Sequence, residues 1–236
     1  MIAAGLVANG ARVYISSRKD ISELARYLTE RGPGECICWG TLDVASEKSI
    51  ESFTRLLSDA EPTGIDVLVN NAGTNWAEPV EEHSAKGWDK VYDVNTRGVF
   101  LMTKHMLPLM GRRRRGRIIN IGSIAGKEAY LKGNVYCATK AAVDSFTTGL
   151  RMDTNPYGFR VGAIHPGLVE TEFSKVRFKG DTQKAEQVYA HIHALQAEDI
   201  AQTIVFMIQA PAHVNLADIT ILPTAQASAT VVNRST

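Results

Sequence analysis

The chain has 236 residues, 44% of them hydrophobic and 22% charged, enough apolar content to bury a large core in a single domain over 1–236. With 26 basic against 25 acidic side chains and a formal net charge of +1, a general nucleic-acid or anionic-membrane role is not expected. Three cysteines make no disulfide framework, and no stretch approaches the roughly 18 apolar residues that span a bilayer.

The first nine residues, Met1-Ile2-Ala3-Ala4-Gly5-Leu6-Val7-Ala8-Asn9, read as the end of a helix. They lack a basic start and are broken by Asn9, so they do not look like a signal peptide, and a soluble, cytoplasmic protein is expected. A strand at 12–16 runs into Ser17-Arg18, and a helix follows at 21–31. The strand at 35–42 puts Cys36 and Cys38 on one face, where, without a second pair or a nearby histidine, they read as buried thiols rather than metal ligands. A helix at 47–60 leads to a strand at 67–70, then Asn71-Ala72-Gly73, and a long helix at 86–110 carries Val94-Asn95-Thr96-Arg97-Gly98. The basic run Arg112-Arg113-Arg114-Arg115-Gly116-Arg117 follows; at a helix C-terminus such side chains complement the macrodipole and stay solvated. A buried strand at 117–122 ends on Ser123, a helix at 135–155 carries Tyr136 and Lys140, and a strand at 160–164 leads to Pro166-Gly167. His191 and His193 lie two apart on an expected helix, where they diverge, so no metal is assigned there. A helix at 197–209 and a strand at 219–222 complete the alternation, which predicts an α/β fold with a doubly wound parallel sheet.

The chemistry concentrates at Tyr136-Cys137-Ala138-Thr139-Lys140. On a helix, positions four apart share a face, so Lys140 and Tyr136 point into one space, and a nearby cation favours phenolate, lowering the phenol from its usual value of about 10. Tyr-x-x-x-Lys is common on ordinary amphipathic helices, with the Tyr covering core and the Lys solvated. Its company here is not ordinary. Ser123 closes a buried strand, and ligands of open α/β sheets collect at the carboxyl ends of strands.

These motifs, in this order, resemble the short-chain dehydrogenase/reductases over nearly the whole chain. The resemblance implies a Rossmann-like sheet and a catalytic tetrad of Asn95, Ser123, Tyr136 and Lys140. Tyr136 would protonate the substrate oxygen and, with Lys140, contact the cofactor; Ser123 would hold that oxygen, Lys140 would bind the nicotinamide ribose and lower the Tyr pKa, and Asn95 would hold a water relaying protons to Lys140. Asp43 and Val44 would flank the adenine, Asn71, Ala72 and Gly73 the adenosine ribose, and Val169 and Thr171, after Pro166-Gly167, the nicotinamide. Where dinucleotide folds that bind the ribose 2′-hydroxyl carry an acid, this chain has Ser17 and then Arg18, a pair suited to a 2′-phosphate, so NADP is the expected cofactor.

One family element is missing from the sequence. Relatives begin with a strand and a glycine-rich turn that meets the pyrophosphate, so the chain is expected to start about twenty residues late, and the central strand between those at 12–16 and 67–70 is expected to be absent. An incomplete start, a strand borrowed from a partner and a degenerate non-catalytic relative are the explanations; retention of all four tetrad residues favours the first.

The substrate is expected to be a short 3-hydroxy acid or 3-oxoacyl compound. Residues 213–228 resemble NADP-dependent 3-hydroxy acid and serine dehydrogenases, whereas the first hundred residues resemble 3-oxoacyl reductases. The segment from Glu170 to His193, where relatives cover the substrate, mixes Phe173, Val176, Phe178 and Tyr189 with Lys175, Arg177 and Lys179. A 3-oxoacyl-(acyl carrier protein) reductase, docking its acidic carrier on the basic run, is the alternative enzyme; a non-catalytic scaffold that keeps the NADP fold is the alternative from another class. A homotetramer pairing the helices that carry Asn95 and Tyr136 is expected.

Overall fold

The computed structural model describes residues 1–112, 115–177 and 180–234, the side chains of Lys175, Arg177 and Ala185 excepted. Strands β1 (Arg12–Ser17) and β2 (Glu35–Thr41) pair with each other, while β3 (Val67–Asn70), β4 (Gly116–Ile121), β5 (Phe159–Pro166) and β6 (Asp218–Ile221) form a second sheet in that order. All pairings are parallel. The chain winds outward from β1 to β2 and then outward again from β3 to β6, so the winding changes between the two sheets. Among the described residues no strand lies between β1 and β3.

Helices connect the strands. They are α1 (Ile2–Ala8), α2 (Ser22–Thr29), α3 (Glu47–Ala60), α4 (Ala85–Tyr92), α5 (Gly98–Gly111), α6 (Asn134–Thr154), α7 (Phe173–Arg177), α8 (Thr182–Gln187) and α9 (Ala197–Gln209). Local chemistry sets several starts: the Ser46 and Ser84 side chains accept from Ser49 N and Gly87 N at the heads of α3 and α4, and Gln196 with Asp199 forms a reciprocal cap on α9. The second sheet is sandwiched, which is why β4 and β5 are almost continuously buried and apolar. One apolar cluster joins α3 and α5 to Leu68, Ile118 and Val161, with Tyr14 and Trp39 of the first sheet packed against it. That shared core holds the two sheets together without a ladder between them.

Four expectations are corrected. The helix expected over 86–110 is interrupted: between α4 and α5 the residues Asp93–Arg97 form a π-turn. Widening the helix by one residue per turn aims Asn95 inward, where it is fully buried. The helix expected to carry His191 and His193 ends at Gln187; the carbonyls of Val188 and Ala190 are taken by the Arg234 guanidinium, and His191 adopts a positive φ of 60°. The basic run is not uniformly solvated. Arg117 turns inward and donates to Met207 O and, at 2.6 Å, to Ala210 O at the end of α9, while Arg112 bonds Ser58 O at 3.2 Å. Arg113 and Arg114 lie outside the described residues. Finally, Cys36 is buried but Cys38 is only half-buried.

Candidate active site

The expected site residues come from separate stretches of sequence, and the parallel strands bring them to one edge. Ser17 ends β1, and Asp43 and Val44 follow β2. Asn71, Ala72 and Gly73 follow β3, Ser123 follows β4, and Pro166 ends β5 with Gly167, Val169 and Thr171 after it. All therefore stand at the carboxyl ends of parallel strands, on both sides of the change in winding, which is where open α/β sheets bind ligands.

At the centre, Tyr136 is 8% exposed and Lys140, one turn along α6, is 5% exposed. The Lys140 ammonium lies 5.8 Å from the centroid of the Tyr136 ring and donates to Ile121 O at 2.7 Å. Burial pushes the ammonium down to about 8, so it stays mostly charged at neutral pH beside the phenol. Ser123 heads a 3-10 turn, its Oγ accepting from Ala125 N at 3.1 Å. The turn lies directly on α6: a Cβ on Gly126 would fall 2.7 Å from the Lys140 backbone. Glycine there lets the Ser123 turn approach the helix that carries Tyr136 and Lys140. Asn95 Oδ1 accepts from Thr74 N at 2.8 Å, and its Nδ2 donates to Thr74 O at 2.8 Å and Thr139 Oγ1 at 3.1 Å. Its side chain thus ties the strand-end loop at Gly73-Thr74 to α6. Phe173, at the head of α7, sets its ring 5.9 Å from the Tyr136 ring, bringing the covering segment over the phenol. In that segment Phe178 and Lys179, and the side chains of Lys175 and Arg177, lie outside the described residues.

A dinucleotide fits several of these groups. Arg18 is exposed at the end of β1, and the Ser17 hydroxyl accepts from Lys19 N at 3.0 Å, turning the chain there. The Asp43 carboxylate accepts from Ala45 N at 3.0 Å and shapes the turn after β2. Among the described residues the Lys140 ammonium makes one hydrogen bond, which leaves two N–H donors for hydroxyls such as those of a ribose. A Cβ on Gly73 would lie 4.0 Å from that ammonium, so the loop after β3 borders the same space. The described residues present no glycine-rich helix start for a pyrophosphate.

Sequence reasoning missed a charged network beneath Ser123. His165 is fully buried, with Nε2 3.5 Å from Asp144 Oδ1 and 3.6 Å from Asp218 Oδ2. Lys127 Nζ sits 2.6 Å from Asp218 Oδ2 and 3.8 Å from Asp144 Oδ2, so an internal ammonium already supplies the cation that this spacing could hold. The signal available was His165 directly before Pro166-Gly167, but its partners come from α6, β6 and the loop after β4. Burial, with help from Lys127, lowers the His165 pKa below its ordinary 6.5 against the opposing pull of Asp218 and Asp144. Below that value the unfolded chain takes up a proton more readily than the folded one, so stability is full above it and falls as the pH drops. Urea unfolding at about pH 5.5 and 7.5 should therefore show a smaller acid loss for His165→Gln than for the parent; equal losses would remove His165 from the account.

A groove of about 980 Å³, lined by Phe100, Leu107, Phe146 and Tyr157, lies between α5 and α6 and includes none of the site residues. Among the described residues no helix is long and apolar enough to cross a membrane.

Comparison with known proteins identifies the family. The family model for short chain dehydrogenases matches residues 1–182. The chain is 42% identical over 230 residues to the NADP-dependent 3-hydroxy acid dehydrogenase YdfG of Salmonella typhi, covering 97% of this chain and 91% of that protein. It is also 42% identical over 204 residues to the NADP-dependent 3-hydroxy acid dehydrogenase of Schizosaccharomyces pombe, covering 82% of this chain and 74% of that one. Among solved structures, the closed form of a serine dehydrogenase complexed with NADP+ superposes with a TM-score of 0.88 at 39% identity, over 100% of this chain and 94% of that one.

Proposed function

The chain belongs to the short chain dehydrogenase family, and on that premise we propose that it is an NADP(H)-dependent oxidoreductase interconverting a short 3-hydroxy acid and its 3-oxo counterpart. The observation that carries this reading is the buried Tyr136 and Lys140 pair, one helical turn apart, with the Ser123 turn packed against the same helix. NADPH, when bound, supplies a hydride to the carbonyl carbon. The protein's own groups manage the charge that results on oxygen. Tyr136 gives its phenolic proton to that oxygen, Ser123 Oγ donates a hydrogen bond to it, and the Lys140 ammonium stabilises the phenolate left behind. Asn95 keeps the Gly73-Thr74 loop against Lys140, whose free N–H donors hold the ribose, and marks where a water would relay protons to Lys140. In oxidation the same groups act in reverse, Tyr136 removing the hydroxyl proton.

The cofactor residues proposed are Ser17 and Arg18 for the 2′-phosphate, Asp43 and Val44 for adenine, Asn71, Ala72 and Gly73 for the adenosine ribose, and Pro166, Gly167, Val169 and Thr171 on the nicotinamide side. The names of the relatives support 3-hydroxy acids over carrier-bound 3-oxoacyl chains, and the inward turn of Arg117 takes one cation from the surface a carrier protein would need. The exposed Phe100, Met152 and Tyr157 on α5, α6 and the turn beyond support pairing of these helices between copies, within a homotetramer. Three free cysteines accord with a reducing cytoplasm.

The test is a fluorescence titration with NADPH and NADH. NADPH should bind more tightly, and Arg18→Ala should erase most of the difference, because a charge-assisted contact to phosphate is worth roughly 1.5–3 kcal/mol, about ten- to a hundredfold in affinity. Equal affinities in the parent would contradict the assignment.

A further inference from the structure

After β6 the chain does not leave the site. Residues 222–234 fold back on themselves, with Gln226 bridged to Val232 and Asn233 N donating to Ala225 O at 2.8 Å. This folded tail touches three pieces of the candidate site. Gln226, 5% exposed, accepts through Oε1 from Leu168 N at 2.8 Å, and its Nε2 donates to Ser228 O at 3.0 Å. A Cβ on Gly167 would lie 2.2 Å from that same Oε1, so the cofactor-side loop is seated on Gln226 with no room to spare. Ala229 N donates to Glu128 Oε2 at 2.9 Å, joining the tail to the chain just beyond Ser123. At its end the Arg234 guanidinium donates to Ala190 O at 2.6 Å and Val188 O at 3.0 Å, the last part of the covering segment. That segment is pinned internally as well: Tyr189 Oη bonds Val169 O at 2.8 Å and Ser174 Oγ at 2.5 Å, next to the Phe173 ring that covers Tyr136.

We propose that residues 222–234 form a clamp over the active centre, in which Gln226 positions the nicotinamide-side loop and Arg234 holds the covering segment closed over the substrate. The inference rests on the reading of Tyr136 as the reacting group. The two contacts differ physically. Gln226 is buried, so letting go would strand an amide oxygen and a backbone N–H away from water, and this anchor stays made throughout turnover. Arg234 is exposed, so its two donors exchange with water at little cost, and its contact can open and close with each substrate. Gln226 therefore governs how the cofactor sits, and Arg234 governs substrate retention.

Three measurements on the full-length protein test this: the dissociation constant for NADPH, the KM for 3-hydroxybutyrate with saturating NADP+, and the rate of proteolytic cleavage within residues 173–193. Gln226→Leu, which keeps volume but loses the acceptor, should weaken NADPH binding about tenfold, the effect of one buried hydrogen bond, and Gln226→Asn, which keeps an amide able both to accept and to donate, should restore part of it. Arg234→Ala should raise the KM and the cleavage rate severalfold each and leave NADPH affinity within about twofold, while Arg234→Lys falls between. If Arg234→Ala matches the parent in KM and cleavage, or if both variants lower every property together with the melting temperature and the conservative variants rescue nothing, the clamp is wrong. A parent that turns over no 3-hydroxy acid overturns the functional reading instead, and the cleavage rates of the variants still decide the clamp.

Discussion

Tyr136→Phe should abolish oxidoreductase turnover, by at least about a hundredfold, and leave the fold intact. The substitution removes one hydroxyl and almost no volume from a side chain that is 8% exposed and packed beside Phe173. What it removes is the proton donor: with phenylalanine, the alkoxide formed at the substrate oxygen keeps only the Ser123 hydroxyl as a donor. Cofactor binding should fall only modestly, since the Lys140 donors still hold the ribose. Steady-state rates and NADPH titration on the same preparation separate the two. A variant that turns over within a few-fold of the parent would remove Tyr136 from the reaction, and one that has lost cofactor binding would make its role structural.

Lys140→Met should lose turnover by a similar or larger factor and at the same time gain stability at neutral pH. Both effects follow from burial. The ammonium is 5% exposed, and burial brings it from its ordinary 10.5 down to about 8, a shift that corresponds to roughly 3 kcal/mol of cost for holding the charge inside. Methionine fills the volume without that cost, although it leaves Ile121 O without its donor, so the net gain is smaller. Between about 8 and 10.5 the folded parent has released its proton while the unfolded chain still holds it. The parent's penalty is therefore full below this window and fades as the pH rises through it, a rise that Lys140→Met must lack. Urea unfolding across the window reads the stability effect, and any residual activity of the variant should have its optimum at higher pH. Equal turnover, or a large loss of stability at neutral pH, would contradict the assignment.

Much of this was legible in the sequence, for reasons that differ between elements. Tyr136 and Lys140 were readable as a pair because both lie on one helix, where spacing alone sets the face. The bounds of α3, β3 and α9 matched because each lies between strong local signals: Ser46 capping α3, apolar Val67-Leu68-Val69 closed by asparagines, and Gln196 with Asp199 opening α9. Asn95 was placed on a helix, but its inward aim depends on a π-turn, a change of one residue per turn that periodicity does not register. Helices α7 and α8 are short and mostly polar, so no apolar face announced them. Arg117 looked like one more solvated cation of a basic run, and only the position of the α9 C-terminus makes it an internal donor. His165, Gln226 and Arg234 find their long-range partners between 21 and 58 residues away, contacts that exist only once the strands are in register.

The central claim is that this chain performs NADP-linked alcohol and carbonyl chemistry through the centre built on Tyr136. Its most direct test is the initial rate of nicotinamide reduction with 3-hydroxybutyrate, measured with NADP+ and with NAD+ on the parent protein. The account predicts turnover with a kcat/KM at least about tenfold higher for NADP+, the contribution of a charge-assisted phosphate contact. Equal rates with the two cofactors would contradict the phosphate assignment at Ser17 and Arg18, and binding of NADPH with no turnover of any hydroxy acid would contradict the claim itself.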